Sequence, residues 1–537
     1  MECPMDATAS EASLVIQFHN IVHDATSQSP QRDPEDEHTK RHFSGEEAIG
    51  QFPLAANPSI LLHLLSSCEL DPKDLAALEA TCTFFRNPAK FPPDLELSLP
   101  ELAAFDMCQH RAMFKLMGAE EKEWLKQRCG GSWKLVLGYI LVGEKNYRRG
   151  KSQVIAGPGY SIVVTAKGDV YSFGANSWGQ LGLGDTEHKF KPCLIRSLQG
   201  IRITQVAVGS RRTMLVSDTG SVYKFGHSAF GPFDYYGTAP TNEISCPNPQ
   251  LVESLKGIFV VQASIGGFFS AVLSREGRVY TFSWGHAERV GHGTEIADLE
   301  PRLLSGPLED VLVVQIAAGN CYLLMLAYHP NGMSVYSVGC GLGGKLGHGN
   351  TRNEGTPLQI EHFQTFNIRP MSISAGAFHV AVLSSDGRIF TWGWGVHGCL
   401  GRGAEEYMTL PTAVETLKAV HVSAGYYTTF VITDNGEVYT FGQKGVGLQD
   451  GEDNESGDIL APKLVTSLAG LEESFVQISS TNAGDWIDDK LVYAHTVALT
   501  NSGKMYAFGG GSQGQLGVKL AEGKEAMPPF QVAVNLI

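Results

Sequence analysis

Three glycine-rich segments of the chain have residue spacings that could support nucleotide chemistry. Residues 339–344, 393–398 and 509–514 each match the G-x-G-x-x-G pattern of dinucleotide-binding loops. Such a loop binds a pyrophosphate when a helix follows it and the N-terminus of that helix faces the phosphates. In this sequence another strand-forming stretch follows each segment, which argues against a nucleotide site.

Nucleophiles and metal-ligand residues also lack the arrangement that a reactive site requires. Residues 510–514 match the G-x-S-x-G elbow of hydrolases, but that elbow needs a strand-to-helix turn and a histidine partner. His292 and His348 stand between glycines at equivalent positions of a repeat, so we interpret them as repeat residues. The ten cysteines include no Cys-x-x-Cys pair and indicate reduced thiols. We therefore predict no catalytic residue, no metal and no cofactor.

The glycines belong instead to a repeat of about fifty residues. A Val-Tyr-x-Phe-Gly motif or a degenerate form of it occurs seven times, and a residue-plus-glycine pair precedes each copy. The copies begin at Val170, Val222, Val279, Val335, Ile389, Val438 and Met505. Two runs of β-forming residues across such a pair predict a hairpin, because glycine adopts a positive φ without a steric penalty.

Each repeat supplies two further strands. Upstream segments such as residues 206–209 predict an inner strand, and a proline in each repeat marks an outer edge strand, where a missing N–H is tolerated. Four antiparallel strands in each of seven repeats predict a mainly β fold, a seven-bladed β-propeller over residues 151–537. Residues 530–537 are predicted to pair with the segment around Val154 and Ile155 and thereby to close the ring.

These repeat motifs resemble those of the regulator of chromosome condensation family. The resemblance rests on the Val-Tyr-x-Phe-Gly copies and on the Gly-Gln-Leu-Gly sequence at residues 179–182, and it covers roughly residues 151–537. It implies the propeller fold. Because one fold hosts many activities, it leaves three functions open: a module in ubiquitin ligases, nucleotide exchange on the small GTPase Ran, and ultraviolet-B sensing in plants.

A small all-α region is predicted before the propeller. Residues 1–50 are polar and acidic and predict a disordered tail, and residues 51–150 predict helices and a linker. The leucine pairs and the Asp-x-x-Asp-Leu sequence at residues 71–75 resemble an F-box, a helical module that binds the Skp-type adaptor of cullin ubiquitin ligases. A helical subdomain of another kind would show similar leucine spacing. The resemblance implies adaptor contacts by Leu61, Leu64, Leu65, Leu75 and Leu78.

Two interruptions of the repeat are predicted to bind a protein partner. The second copy has a longer loop between residues 230 and 249, and the seventh copy contains an acidic insertion at residues 482–490. Insertions in a repeat array map to loops, where binding residues concentrate. The candidate contact residues are Phe233, Tyr235, Tyr236, Asp485 and Trp486.

Charge and tryptophan positions rank the alternatives. The net charge of −15 argues against direct nucleic-acid binding, and no apolar stretch of membrane-spanning length or signal-peptide pattern is present. We therefore expect a cytoplasmic or nuclear protein. The ultraviolet-B sensors carry tryptophan after the glycine that opens several blades, and here the corresponding residues are Pro158, Ser210, Gly267, Asn320, Ala377 and Tyr426.

The first choice is accordingly a non-enzymatic interaction scaffold. Its propeller recognises a protein partner, and its F-box-like helices link that partner to a Skp-cullin ubiquitin ligase. An exchange factor for a Ran-like small GTPase is the alternative, because exchange by loop insertion needs no catalytic side-chain chemistry. The ultraviolet-B sensor ranks third.

Overall fold

The computed structural model describes most of the chain from residue 58 onward. The described residues are 58–68, 70–81, 83–86, 97–147, 151–227, 245–267, 269–283, 292, 300–329, 332–414, 417–443, 457–481, 486–487, 490–491, 494–522 and 526–534. The chain divides into two compact units, Met1–Val142 and Gly143–Ile537. None of the described helices is long and apolar enough to cross a membrane.

The first unit is built from α-helices. They are α1 (Pro58–Ser67), α2 (Pro72–Thr81), α3 (Thr83–Arg86), α4 (Leu99–Gln109), α5 (Ala112–Lys115), α6 (Ala119–Arg128) and α7 (Trp133–Tyr147), and α7 contains the boundary between the units. Asp71 caps α2, since its Oδ1 accepts the backbone N–H groups of Lys73 at 2.7 Å and Asp74 at 2.9 Å. The Oγ of Ser98 likewise caps α4, since it accepts the Glu101 N–H at 3.3 Å.

An ionic cluster joins three helices of this unit. The ammonium group of Lys134 in α7 contacts the carboxylate of Glu79 in α2 and lies 3.2 Å from that of Glu101 in α4. The Lys134 side chain is only 12% exposed, so breaking the cluster would leave a poorly solvated charge unpaired.

The described residues of the second unit form seven four-stranded antiparallel sheets, or blades; six use consecutive strands, and a short hairpin interrupts the seventh. Blade 1 contains β1 (Gln153–Gly157), β2 (Tyr160–Val164), β3 (Val170–Gly174) and β4 (Lys189–Leu194). Blade 2 contains β5 (Ile203–Val208), β6 (Arg212–Ser217), β7 (Val222–His227) and β8 (Ser245–Leu251). Blade 3 contains β9 (Val260–Ile265), β10 (Phe269–Ser274), β11 (Val279–Ser283) and β12 (Arg302–Leu303). Blade 4 contains β13 (Leu312–Ala318), β14 (Tyr322–His329), β15 (Gly332–Gly339) and β16 (Glu354–Gln359).

The remaining three blades follow the same order. Blade 5 contains β17 (Pro370–Ala375), β18 (His379–Ser384), β19 (Ile389–Gly393) and β20 (Met408–Val414). Blade 6 contains β21 (Ala419–Ala424), β22 (Thr428–Thr433), β23 (Val438–Gly442) and β24 (Ile459–Leu464). Blade 7 contains β25 (Phe475–Ser480), β28 (His495–Thr500), β29 (Met505–Gly510) and β30 (Ala526–Val532), with a short hairpin of β26 (Trp486–Ile487) and β27 (Lys490–Leu491) after its first strand. Short helices α8 (His362–Thr365) and α9 (Thr466–Ala469) follow the outer strands of blades 4 and 6. The predicted seven-bladed propeller is confirmed.

The predicted pairing of the two ends of the propeller is wrong. The outer strand β30 pairs with β29, where Phe530 lies opposite Ala507, and the inner strand β1 pairs with β2, where Val154 lies opposite Val163. Each blade is complete from its own repeat, so no strand is shared between the first and last blades. The sequence argument failed because it matched an outer strand with an inner one.

Side chains of the inner strands close the ring instead. The amide of Gln477 in β25 donates to the Val154 carbonyl at 3.1 Å, and its oxygen accepts the Val154 N–H at 3.2 Å. The same paired bonds join Gln315 of blade 4 to Ile373 of blade 5, at 3.0 and 2.9 Å. Blades 7 and 1 also share an apolar cluster that includes Phe173 and Val497. The junction that closes the ring therefore repeats an internal junction.

Candidate functional site

One face of the propeller carries the loops that follow the first and third strands of each blade. Adjacent strands run in opposite directions, so these two loops emerge on the same side. At blades 5 and 6 the loops bring together four aromatic residues, which we call the aromatic surface. Its members are Phe378, Trp394, Tyr426 and Tyr427.

The rings of the aromatic surface are in mutual contact. Phe378 stacks on Tyr427 with centroids 5.5 Å apart and planes 17° apart. Trp394 meets Phe378 edge to face at 5.7 Å, and Tyr426 meets Tyr427 edge to face at 4.6 Å. These are the stacked and T-shaped geometries that aromatic quadrupoles favour. Tyr426 is buried, with 7% of its surface exposed, whereas Trp394 is 42% exposed.

Two hydrogen bonds hold the backbone of Trp394 in place. Its backbone N–H donates to the Phe378 carbonyl at 3.0 Å, and the thiol of Cys399 donates to the Trp394 carbonyl at 3.1 Å. Burial raises the pKa of Cys399 to about 12, so the thiol keeps the proton that it donates. Both backbone polar groups of Trp394 are therefore hydrogen-bonded, which fixes the backbone that carries the exposed indole.

A polar cluster lies beside the aromatic surface. Nδ1 of His397 is 2.7 Å from Oδ2 of Asp458, and a carboxylate oxygen of Glu405 completes a set of ligand atoms within 4.8 Å of one another. The His397 ring is 5.0 Å from that of Tyr427. We call His397, Glu405 and Asp458 the His397 cluster. Its imidazole and carboxylates can hold a proton or a cation between them.

Close contact between blades 5 and 6 assembles this cluster. A Cβ at Gly398 would lie 2.7 Å from the Cα of Leu460 in β24, so only glycine allows this approach. The N–H of Gly403 then donates to the Leu460 carbonyl at 2.8 Å. These contacts place the loop of blade 5 next to the start of β24, where Asp458 lies.

Burial also strengthens the preference of the Tyr427 phenol for its neutral form, because it raises the pKa of this group. Desolvation raises the pKa of Tyr427 to about 12, and the neighbouring Tyr426 adds to the effect. The phenol is therefore neutral at physiological pH, and its ring presents an electron-rich face rather than an anion. The arrangement suits recognition of a ligand.

The loop residues predicted to bind a partner cannot be placed. Phe233, Tyr235, Tyr236 and Asp485 lie outside the described residues, and Trp486 is described only as part of the strand β26. These assignments remain predictions. The end of β7 and the start of β8, which flank the second-copy loop in sequence, lie at the same propeller face as the aromatic surface.

The predicted adaptor contacts lie inside the helical unit. All five leucines have exposed fractions of 7% or less: Leu61, Leu64, Leu65, Leu75 and Leu78. A partner cannot reach such side chains while the unit stays folded, so their observed role is to form its core. The adaptor interaction itself remains a prediction, and it would have to use exposed positions of the same helices.

Sequence reasoning missed the His397 cluster and the aromatic surface. His397 and Asp458 are 61 residues apart and belong to no local motif. A signal did exist for the aromatic surface, because Phe378 and Tyr426-Tyr427 follow the glycines that open blades 5 and 6. The position of the sensor tryptophans corresponds to Ala377 and Tyr426, so that comparison does not include Phe378 or Tyr427.

The fold defines the second unit as a seven-bladed β-propeller. Comparison with protein families matches residues 231–535 to the RCC1-like domain and residues 167–216 to the regulator of chromosome condensation (RCC1) repeat. The chain belongs to the RCC1-like domain family.

Known proteins share this region with different overall lengths. The chain is 32% identical to the E3 ubiquitin-protein ligase HERC2 of Homo sapiens over 344 residues, which are 63% of the chain but 7% of HERC2. It is 28% identical to the ultraviolet-B receptor UVR8 of Arabidopsis thaliana, over 61% of the chain and 73% of UVR8. The solved structure of Prp20p from Saccharomyces cerevisiae, a protein studied for binding to Gsp1p and histones, superposes with a TM-score of 0.56. That match has 19% identity, covers 73% of the chain and 89% of Prp20p, and shows the shared fold.

Proposed function

We propose that this chain is a non-enzymatic interaction scaffold of the cytoplasm or nucleus that binds a protein partner through the aromatic surface. The observation that carries the proposal is the half-exposed indole of Trp394, which rests on Phe378. Tryptophan and tyrosine dominate binding energy at protein interfaces. Their rings here are already packed, so binding would order few side chains.

Affinity capture from cells of the source organism tests this function. The full-length chain is compared with Trp394→Ala and with Leu194→Ala, a matched control at 41% exposure on the outer strand of blade 1. Loss of a specific partner with the first variant and retention with the second supports the proposal. Equal capture by all three proteins argues against the aromatic surface as the contact.

The helical unit would connect this partner to a Skp-cullin ubiquitin ligase. Support comes from the order of its leucines and capped helices in the sequence. The relative HERC2 is itself named an E3 ubiquitin-protein ligase. Because the leucines are buried, we place the adaptor contact on exposed positions such as Ala76 and Ala80 of α2.

Nucleotide exchange on a Ran-like GTPase remains the alternative function. Its support is the fold shared with Prp20p, and accelerated release of labelled GDP from the GTPase by the full-length chain would establish it.

The ultraviolet-B sensor ranks third. Trp392 is buried and donates its indole N–H to the Lys345 carbonyl at 3.0 Å, and Trp178 packs against Arg211.

A further inference from the structure

The junction between blades 1 and 2 contains a cation held by an aromatic ring. The guanidinium carbon of Arg211 lies 4.9 Å from the centroid of the Trp178 ring. Arginine is attracted to the electron-rich face of an indole at such distances. In this junction the chain itself supplies both the ring and the positive charge.

The junction between blades 5 and 6 has a glycine at the same position but a different backbone before it, since His397 has a φ of 60° and Trp178 does not have a positive φ. Gly179 and Gly398 both have φ of 75°. Each packs against the outer strand of the next blade, at Pro247 and Leu460 respectively. His397 therefore occupies the position of Trp178, immediately before the shared glycine.

The partner positions correspond in the same way. Arg211 directly precedes β6, and Tyr427 directly precedes β22, the second strands of blades 2 and 6. Tyr427 contacts the ring of His397 as Arg211 contacts that of Trp178. At blades 5 and 6 a neutral phenol thus replaces the guanidinium.

Negative charge lies beside this second pair of rings. The carboxylates of Asp458 and Glu405 lie within 4.8 Å of the imidazole of His397. Aromatic faces together with carboxylates attract an organic cation by cation–π contact and by charge.

We propose that the aromatic surface and the His397 cluster bind a basic side chain of a protein partner through the kind of ring contact that Trp178 makes with Arg211. This inference rests on the proposed function and specifies the chemistry of its partner. Arginine fits better than lysine, because its planar group stacks on rings and bonds carboxylates in a fork. The net charge of −15 on the chain also favours approach of a basic segment.

Binding of defined peptides to the full-length protein tests the inference. Peptides of alternating glycine and arginine, glycine and lysine, or glycine and citrulline are titrated by fluorescence anisotropy at low salt. Citrulline keeps the shape of arginine without its charge. We expect the arginine peptide to bind more tightly than the lysine peptide, and the citrulline peptide to bind at least about tenfold more weakly than the arginine peptide.

Matched double variants separate the site from general charge. Asp458→Asn with Glu405→Gln should weaken binding of the arginine peptide about tenfold. Glu253→Gln with Glu361→Gln, which removes two exposed carboxylates elsewhere, should change it by less than about twofold. Equal effects of the two double variants, equal binding of the citrulline peptide, or no measurable binding of the arginine peptide would overturn the inference. A protein that binds zinc ions but not the arginine peptide would likewise overturn it.

Failure of the inference can be told apart from failure of the proposed function. If the Asp458 and Glu405 double variant captures the protein partner like wild type while Trp394→Ala does not, the partner uses the rings without a cation. The interaction scaffold then stands and this inference falls. If Trp394→Ala also captures the partner like wild type, both fall.

Discussion

Nδ1 of His397 lies 2.7 Å from Oδ2 of Asp458, and this contact joins the loop of blade 5 to the start of β24 in blade 6. His397 has a φ of 60°, a left-handed conformation that costs a residue other than glycine about 1–2 kcal/mol. The corresponding residue in blade 4 is Gly343, with φ of 75°. A strained histidine at a position that accepts glycine indicates that its side chain serves the site.

Substitutions of His397 should therefore affect the free energy of unfolding and the binding of a partner to different extents. His397→Gly relieves the strain but loses the bond to Asp458, so we expect its free energy of unfolding to stay within about 1 kcal/mol of wild type. His397→Ala keeps the strain and should be less stable than the glycine variant by about 1 kcal/mol. Both should weaken partner binding. Urea unfolding and peptide titration measure the two effects, and a glycine variant that is less stable than the alanine variant would contradict this account.

Ring closure is tested by breaking the same bond pair at two junctions. Gln477→Leu leaves the Val154 N–H and carbonyl without their partner, which should cost about 1–3 kcal/mol for each buried group. Gln315→Leu does the same to Ile373 between blades 4 and 5. In a closed ring the two substitutions lower the free energy of unfolding by similar amounts in urea. If Gln477→Leu leaves the free energy of unfolding nearly unchanged while Gln315→Leu lowers it, the junction between blades 7 and 1 is open.

The propeller should lose stability in mild acid. Burial lowers the pKa of His379 to about 4, from 6.5 for an ordinary histidine. Between these values the unfolded chain binds a proton that the folded chain excludes, so stability falls as the pH falls. From pH 7.5 to 5.0 this residue should account for a loss of about 2 kcal/mol. Urea unfolding at both pH values measures the free energy of unfolding. Between pH 7.5 and 5.0 the His379→Gln variant should lose less of this free energy than wild type, by about 2 kcal/mol. If both proteins lose the same amount, His379 is not the cause. His348, whose pKa is also lowered to about 4, remains in both proteins.

The repeat made the blades predictable, because each hairpin forms between neighbouring segments and every copy contains the same kinds of turn and strand residues. The ring junction was not predictable in this way. Val154 and Gln477 are 323 residues apart, and the bond needs the whole ring to bring them together. The only local sign was the recurrence of glutamine in the inner strands, at residues such as 153, 205 and 262. For the same reason the sequence indicated aromatic positions of the site but not its pairing of His397 with Asp458.

Leucine patterns in the helical unit predicted helices well and exposure poorly. A buried core and an interface both select leucine, so spacing alone does not distinguish them. Leu64 and Leu65 in α1 are buried, at 5% and 0% exposure.

Two classes of substitution should therefore behave differently in the helical unit. Leu64→Asp places a charge in the core and should destabilise the unit by about 3–5 kcal/mol, seen as increased proteolysis of the N-terminal region. Ala76→Glu with Ala80→Glu changes exposed positions of α2 with little effect on helix stability, and should abolish co-purification with a Skp-type adaptor. Ala119→Glu in α6 serves as the control. Wild-type protein that never co-purifies with the adaptor would contradict the ubiquitin-ligase link.

Site-specific photo-crosslinking tests the central claim, that the aromatic surface contacts a protein partner, most directly. Benzoylphenylalanine is placed at residue 394 in one full-length protein and at residue 194 in another, since the two side chains are 42% and 41% exposed. We predict a discrete crosslinked protein at residue 394 that is absent at residue 194 and is lost when Tyr427 is also replaced by alanine. The same crosslinked protein at both positions, or at residue 194 alone, would contradict the claim.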